Sequence, residues 1–470
     1  MERDLYPRSS EASEHTMLQF HGKSRPQIIA SLVATFGTFC SGTVLAWTST
    51  VNPQLKETKD IGNLTDSNLS LIASIAVIGA LISGAAAGFS IDKIGRRLTI
   101  ILLVIPFILG WGLVAFAQDY AVMLVGRFIT GFCAGAYTLV VPVYISEVTQ
   151  DRLRGAMSNC MVVTLVSGIL FSYVLGALVP WKWLSIISGI LPIFLAIAMF
   201  FIPDSPRYQV VKGMQTKAAE SLRWLRGVDD VRDIDDELKE LQHSVQVSKE
   251  ASGGSLCDIL KARNMKPLAI CLVLMIFQQF GGINAVIFFT VDIFKASGSD
   301  INPNVASIIV GSVQVVCVIV STLLVDRMGR KVLMFISETG MAVSLAALGV
   351  FFYLKHDNHD QTPENLGWLP LLSMILYIIT YNLGCASLPW TFMAELLPSN
   401  IKGLGSALVT STCWFLAFIV TYTFADLRNL IGDHFVFGIF GIFSVCGALF
   451  SALILPETKG LSLDEIQRLF

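Results

Sequence analysis

Asp92-Lys93-Ile94-Gly95-Arg96-Arg97 returns later in the chain as Asp326-Arg327-Met328-Gly329-Arg330-Lys331. Each copy places an acid, a glycine and adjacent bases between two long apolar stretches. Two further pairs keep the same order. Glu147 is followed by Arg154-Gly155, and Glu395 by Lys402-Gly403 at the same offset. Pro203-Asp204-Ser205-Pro206-Arg207 answers to Pro456-Glu457-Thr458-Lys459-Gly460. Three paired motifs in one order make the chain a duplicated unit.

The segments between these motifs identify the unit. A membrane span needs about 20 mainly apolar residues to cross a ~30 Å hydrocarbon core. Twelve segments meet that length: 28–51, 69–91, 98–117, 120–145, 156–179, 183–202, 267–293, 304–325, 332–354, 368–393, 403–426 and 435–455. The expected fold is an all-α membrane protein of twelve helices in two six-helix halves. The halves are 28–202 and 267–455, with polar tails at 1–27 and 456–470 and a charged insert at 203–266. Six spans repeated once is the architecture of carriers whose halves rock about a midplane site.

Composition agrees. Of 470 residues, 54% are hydrophobic and 14% charged, against about 25% charged in soluble chains. A net charge of −2 gives no reason to expect a nucleic-acid partner. Residues 1–27 are polar and mixed in charge, unlike a signal peptide. With both termini inside, 26 of the 33 Lys and Arg fall on the inner side, the bias that orients membrane proteins. The insert carries 11 bases and 11 acids with helical periodicity, and reads as a small solvated helical element. None of the nine cysteines lies in a segment placed outside the cell, and none has metal-ligand spacing. No cofactor is expected. No nucleophile–base or metal constellation points to an enzyme. The sequons at Asn63 and Asn68 both fall in the first outside loop. The six histidines lie outside the membrane core, and residues 28–52 contain no acid, so no proton-coupling group is expected.

The motifs resemble those of the sugar porters of the major facilitator superfamily, from about residue 28 onward. They are Asp92–Arg97, Gly126-Arg127, Pro142-Val143-Tyr144-Ile145-Ser146-Glu147, Pro203–Arg207, Gln278-Gln279-Phe280-Gly281-Gly282-Ile283-Asn284 and Pro389-Trp390. The resemblance implies carriage of a sugar by alternating access, without an enzymatic step. Leu45-Ala46-Trp47-Thr48-Ser49 and the short first outside loop resemble the insect trehalose-transporter group. A passive plasma-membrane glycoprotein carrying trehalose is therefore expected, with a monomer sufficient for transport. The rivals are a hexose uniporter, a proton-coupled symporter and a non-transporting sugar sensor.

The resemblance also implies site residues. Gln278, Gln279 and Asn284 of span seven, and Gln314 of span eight, would bond sugar hydroxyls, since amides both donate and accept. The alternative is bonding between helices. Trp390 and Trp414 would stack on a pyranose face, joined by Phe288 and by Asn382 with less support. Asp92, Arg96, Arg97, Glu147 and Arg154 would form one acid–base cluster at the inner edge, and Asp326, Arg330, Glu395 and Lys402 the other; pairs bridging the halves would hold that side shut and part when it opens. Simple anchoring at the inner edge is the alternative. Lys402 stands where the family usually has Arg and cannot make the same bidentate contact. Arg127, an isolated base in span four, would take Glu147 as partner.

Several positions depart from the hexose pattern. Met161-Val162 stand near a usual Gln, Ala417 replaces a common Asn, and Phe288-Phe289 replace a Tyr pair. One Pro stands in Gly384–Pro389 where two are common, which leaves the bending of span ten open. Glu338 in span nine reads as a solvated acid at the inner edge, with no assigned role. The pairs Gly84/Gly88 and Gly131/Gly135 have the spacing of close helix packing.

Overall fold

The computed structural model describes residues 23–251, 261–299, 301–357, 366–398, 401–459 and 465–466, without the side chains of 151, 231–232, 248–251, 262–263 and 322–327. Among the described residues, twelve helices or helix pairs are long and apolar enough to cross a membrane. Spans one to six are Arg25–Thr58, Asp66–Ile94, Arg96–Ala115, Tyr120–Val148, Arg152–Leu178 and Trp181–Phe200. Spans seven to twelve are Asn264–Ser297, Pro303–Ser321, Arg330–Asp357, Leu369–Leu396, Lys402–Ile431 and Asp433–Leu453. The eighth helix itself continues to Met328. Span one begins three residues before its expected edge and runs seven beyond the other, where Lys56, Glu57 and Thr58 are exposed.

Local chemistry sets the boundaries. Thr65 accepts from the N–H of Asn68 at 3.2 Å, and Asp119 from that of Val122 at 2.9 Å. Each thereby caps orphan donors at a helix start. Between spans two and three, and again between eight and nine, the chain turns at a glycine with φ of +97° (Gly95) or +88° (Gly329). Side chains other than glycine rarely adopt that conformation.

Each half has its own buried apolar cluster. The first is built on Trp47, Phe107, Trp111, Tyr137 and Trp181. The second is built on Phe288, Phe294, Phe351, Tyr377 and Phe424, and draws in Ala73, Val77 and Tyr173 from the first half. The halves meet where span eleven packs on span two, span eight on span five, and span one on span seven. Side chains such as Phe89, Phe194, Phe200, Ile442 and Leu449 remain exposed, as a bilayer-facing surface requires.

The glycine expectation holds for one pair. A Cβ on Gly131 would lie 2.0 Å from the Ala76 carbonyl oxygen, and one on Gly135 would lie 2.5 Å from Ala80 Cα. Gly84 and Gly88 face nothing within 4 Å, so their spacing serves no close contact.

The charged insert forms helices Pro206–Val211, Gln215–Arg226 and Asp235–Ala251, with a short 3-10 turn at Val231–Ile234. It is bolted to the first half rather than solvated throughout. The Arg226 guanidinium is buried, pairs with Glu237 at 2.6 Å, and donates to the Val148 carbonyl at 3.1 Å, at the end of span four.

Candidate substrate site and charge clasps

Span seven breaks into Ala262–Phe280 and Ile283–Ser297, because Gly282 turns with φ of +90°. The break frees the Gly281 carbonyl, and the Tyr377 hydroxyl donates to it at 2.8 Å. Span ten also breaks, into Leu369–Leu383 and Leu388–Leu396. A single Pro389 suffices, because Gly384 leaves the helix region at φ −144°, ψ −61°. Non-helical backbone at membrane depth needs side chains to satisfy it. Ser337 Oγ receives the Cys385 N–H at 2.9 Å and donates to the Thr380 carbonyl at 2.7 Å.

The two breaks face each other, and the amides lie between them. Gln278 Nε2 donates to the Cys385 carbonyl at 2.7 Å. Gln279 Nε2 lies 3.5 Å from Gln278 Oε1 and 3.0 Å from Cys413 Sγ. Asn284 Nδ2 donates to Gln279 Oε1. The three amides form one linked chain. Gln314 is 4% exposed, and no hydrogen bond among the described residues reaches its amide. Asn382 donates back to Ile378 O of its own helix at 2.8 Å, which serves the helix first.

One helical turn from Asn284, at Phe288, a small apolar void of about 10 Å³ lies between the halves, closed to anything larger than a water in this state. Its walls include Val44, Leu45, Val77 and Thr138 of the first half and Phe288 and Trp414 of the second. Trp390 is half-buried against the second core. Among the predicted aromatics, Phe288 and Trp414 therefore line the void.

The charge motifs form two clasps, one per half. Arg96 donates from Nη2 to Glu147 Oε1 at 2.8 Å, and its Nε stands 2.8 Å from Oε2 as an ion-pair contact. Arg330 meets Glu395 at 2.7 Å. Both pairs lie within a half, one in each of the two expected clusters, and among the described residues bridging between the halves by these clusters is not seen in this state. The opposite end of the bundle supplies the bridges instead. There Lys295 pairs with Glu57 at 2.6 Å, Ser67 donates to Asp426 at 2.5 Å, and Asn429 donates to Asp66 at 3.3 Å. The protein is thus latched shut across the face opposite the motifs, and inner-edge pairs would be formed within halves in that state. Asp92, Arg154 and Lys402 are exposed. The Asp326 side chain lies outside the described residues.

The acids of the third motif pair, Asp204 and Glu457, complete one corner each, a role the sequence did not assign to them. Asp204 Oδ1 accepts the N–H groups of Arg96 and Arg97 at 3.2 and 3.1 Å. Glu457 accepts those of Arg330 and Lys331 at 3.0 and 3.1 Å. The motif glycines are required here as well. A Cβ on Gly95 would lie 2.3 Å from Asp204 Oδ2, and one on Gly329 would lie 2.9 Å from Glu457 Oε2. Burial pushes the Asp204 carboxyl above its ordinary value, against the pull of the backbone donors of Arg97, Ser205 and Arg96. Desolvation acts on Glu457 in the same sense, but the N–H groups of Lys459, Arg330 and Lys331 outweigh it and hold this carboxyl low. Arg97 completes the corner by donating to the Met199 and Phe200 carbonyls at 3.1 and 2.5 Å.

Arg127 does not pair with Glu147, which Arg96 already occupies. It is 0% exposed and donates to the carbonyls of Ile72 at 3.3 Å and Val44 at 3.2 Å, with Trp47 beneath it. Glu338, read as solvated, is also 0% exposed. Its burial follows from packing between spans ten and twelve, near Cys385 and Gly447. A half-buried acid in span seven, Asp292, carried no motif and went unmarked in the sequence.

A family profile described as sugar (and other) transporter matches residues 24–470. The chain belongs to the sugar transporter family. Among curated relatives, the transporter is 39% identical to facilitated trehalose transporter Tret1 of Polypedilum vanderplanki, over 94% of this chain and 87% of that protein. It is 39% identical to Tret1 of Culex quinquefasciatus, over 94% and 85%. It is 40% identical to Tret1 of Aedes aegypti, of which it spans about half, 55%, with 94% of its own length. Among solved structures it superposes on the inward open conformation of the xylose transporter XylE from E. coli, with a TM-score of 0.79 and 24% identity, over 94% of this chain and 99% of that one. The XylE complex with 6-bromo-6-deoxy-D-glucose gives 0.76 at 24% identity, over 95% and 100%. These likenesses establish a multi-pass sugar transporter with the major facilitator fold. A transporter of this family moves its substrate unchanged, so no catalytic residue is assigned.

Proposed function

We propose that this transporter carries trehalose passively across the plasma membrane by alternating access, with both termini and the motif face in the cytoplasm. The observation that carries the reading is the linked amide chain Gln278–Gln279–Asn284 at the break of span seven, with Phe288 and Trp414 walling a small apolar void between the halves that would open with the carrier. One glucosyl ring would trade the mutual bonds of the amides for bonds to its hydroxyls, with Gln314 available from span eight. The second ring would lie on Phe288, Trp414 and Trp390, whose faces suit the apolar side of a pyranose. The relatives named facilitated trehalose transporters support the same substrate. Phe288, Phe289 and Ala417 offer little polar contact to a lone hexose.

Alternation in this reading starts from a state closed on the outside by Glu57–Lys295, Ser67–Asp426 and Asp66–Asn429. The Arg96–Glu147 and Arg330–Glu395 clasps keep each half rigid as the outer contacts part. They come together across the inner edge in the outward-facing state, and Asp92, Arg97, Arg154, Asp326 and Lys402 surround them there.

The test is uptake of labelled trehalose and glucose in cells lacking other sugar carriers. Trehalose enters and is blocked by excess trehalose. Gln279→Ala cuts that uptake about tenfold or more, because an unpaired buried amide partner costs about 1–3 kcal/mol, while Ala417→Ser changes it little. Entry of glucose alone, blocked by glucose, would replace this reading with a hexose carrier.

A further inference from the structure

Glu338 stands in the first third of span nine, about two turns from Arg330, with its side chain fully buried. Span twelve leaves room for it, since a Cβ on Gly447 would lie 2.8 Å from the Glu338 carboxyl carbon. The Cys385 thiol donates to its Oε1 at 3.4 Å, while Oε2 has no hydrogen-bond partner. The preceding residue, Ser337, holds the Cys385 N–H at 2.9 Å. The Cys385 carbonyl in turn receives Gln278 Nε2 at 2.7 Å. Adjacent residues of span nine thus grip one residue of the span-ten break by its thiol and its N–H. That residue's carbonyl sets the first amide of the proposed sugar site.

No base among the described residues pairs with Glu338. The ionisable groups facing it are Cys385, Tyr377 and Tyr381, all of span ten. A carboxylate without a base in an apolar core is costly. The neutral acid instead accepts from the thiol and keeps a donor for the breathing of span ten.

On the reading of Gln278 as a sugar ligand, we infer that Glu338, as the neutral acid, is a positioning residue for the sugar: it fixes Cys385 and thereby the carbonyl that orients Gln278. Sugar is met by the Gln278 amide in the orientation that this carbonyl sets, so loosening the grip on Cys385 lets the amide turn away and weakens binding. Glu338 itself touches no substrate.

The test uses the purified full chain in proteoliposomes, with KM and turnover measured for trehalose and the oligomeric profile checked by size exclusion. Glu338→Gln keeps the shape and a neutral hydrogen-bonding group, and is expected to hold KM within about twofold. Glu338→Leu keeps the volume alone and is expected to raise KM about tenfold, with the size-exclusion profile unchanged. Cys385→Ala removes the thiol and is expected to raise KM by an intermediate factor. In a Gln278→Ala background, adding Glu338→Leu should change KM less than about twofold, because coupled residues are not additive. An unchanged KM in Glu338→Leu or Cys385→Ala overturns the inference, as does full additivity with Gln278→Ala. Glu338→Gln failing as badly as Glu338→Leu overturns it too, since a charge would then be needed. If Glu338→Leu does not fold, Cys385→Ala and Glu338→Gln decide. A wild-type KM in Gln278→Ala alone removes the sugar-site reading itself. A raised KM there, with Glu338→Leu at the wild-type value, removes only this inference.

Discussion

The guanidinium carbon of Arg127 lies 4.9 Å from the centre of the Trp47 ring, in a pocket that no solvent reaches. Its charge is met by that ring and by two carbonyls, from spans one and two, and no acid among the described residues pairs with it. Cation–π contacts gain strength where water is excluded. Arg127→Lys keeps the charge, but a single ammonium cannot reach two carbonyls and lie flat on an indole. The variant is expected to lose several degrees of melting temperature in detergent, measured by fluorescence-detected size exclusion. An unchanged melting curve would mean that Arg127 does not tie spans one, two and four together.

The Arg96–Glu147 clasp predicts an asymmetric outcome of charge exchange. Reversing Glu147 to Lys should abolish uptake while the protein still reaches the surface, because Arg96 then faces a like charge in a partly buried corner. The double exchange Arg96→Glu with Glu147→Arg should recover some uptake, though less than wild type, since Arg96 also donates to the Ile91 carbonyl at 3.0 Å. Equal loss in the single and double variants would make the corner a matter of shape and not of pairing.

The latch between the halves predicts a shift of state. Exposed ion pairs are worth about 0–1 kcal/mol each. Removing two contacts with Lys295→Ala and Asp426→Ala should therefore shift the balance toward the outward-facing state by up to about thirtyfold. A cysteine introduced at Val77, which lines the void, should then react faster with an impermeant thiol reagent added outside. No change in that rate would show that the latch follows closure without stabilising it.

The two sequons should differ. Asn63 is exposed in the loop before span two, whereas Asn68 is half-buried in the first helical turn, with its carbonyl 3.4 Å from the Tyr120 hydroxyl. One glycan at Asn63 is expected from insect or mammalian cells, read as a mass shift on glycosidase treatment that Asn63→Gln removes and Asn68→Gln does not.

The spans and their pairing were legible because hydropathy and repeated motifs act at long range and tolerate local variation. The amides Gln278, Gln279 and Asn284 were legible as a group from their motif. What the sequence hid were partnerships. Glu147 could pair with Arg96 or Arg127, and only the helix faces decide for Arg96. Glu338 looked like an edge acid because its neighbours in sequence are polar, yet the glycine that makes room for it, Gly447, lies in span twelve. The bending of span ten rested on counting prolines, while the break depends on Gly384 and on Ser337 holding the Cys385 N–H. The latch residues Glu57, Ser67, Asp426 and Asn429 belong to loops and helix ends without any repeated pattern.

Passive transport is the central claim, and accumulation tests it most directly. Proton coupling needs an acid that changes its protonation as the halves move. Apart from the clasp acids Glu147 and Glu395 and the acids near the outer helix ends such as Asp66, the acids set into the described spans are Glu338, bonded to Cys385, and Asp292, half-buried near the outer end of span seven; no acid among the described residues pairs with Arg127. Proteoliposomes holding the full chain should be given labelled trehalose under an inward proton gradient, with and without a protonophore. The account predicts that internal sugar rises to the external concentration and stops, at the same level in both cases and in Glu338→Gln and Asp292→Asn. Accumulation several-fold above the external level, collapsed by the protonophore or by either substitution, would contradict it.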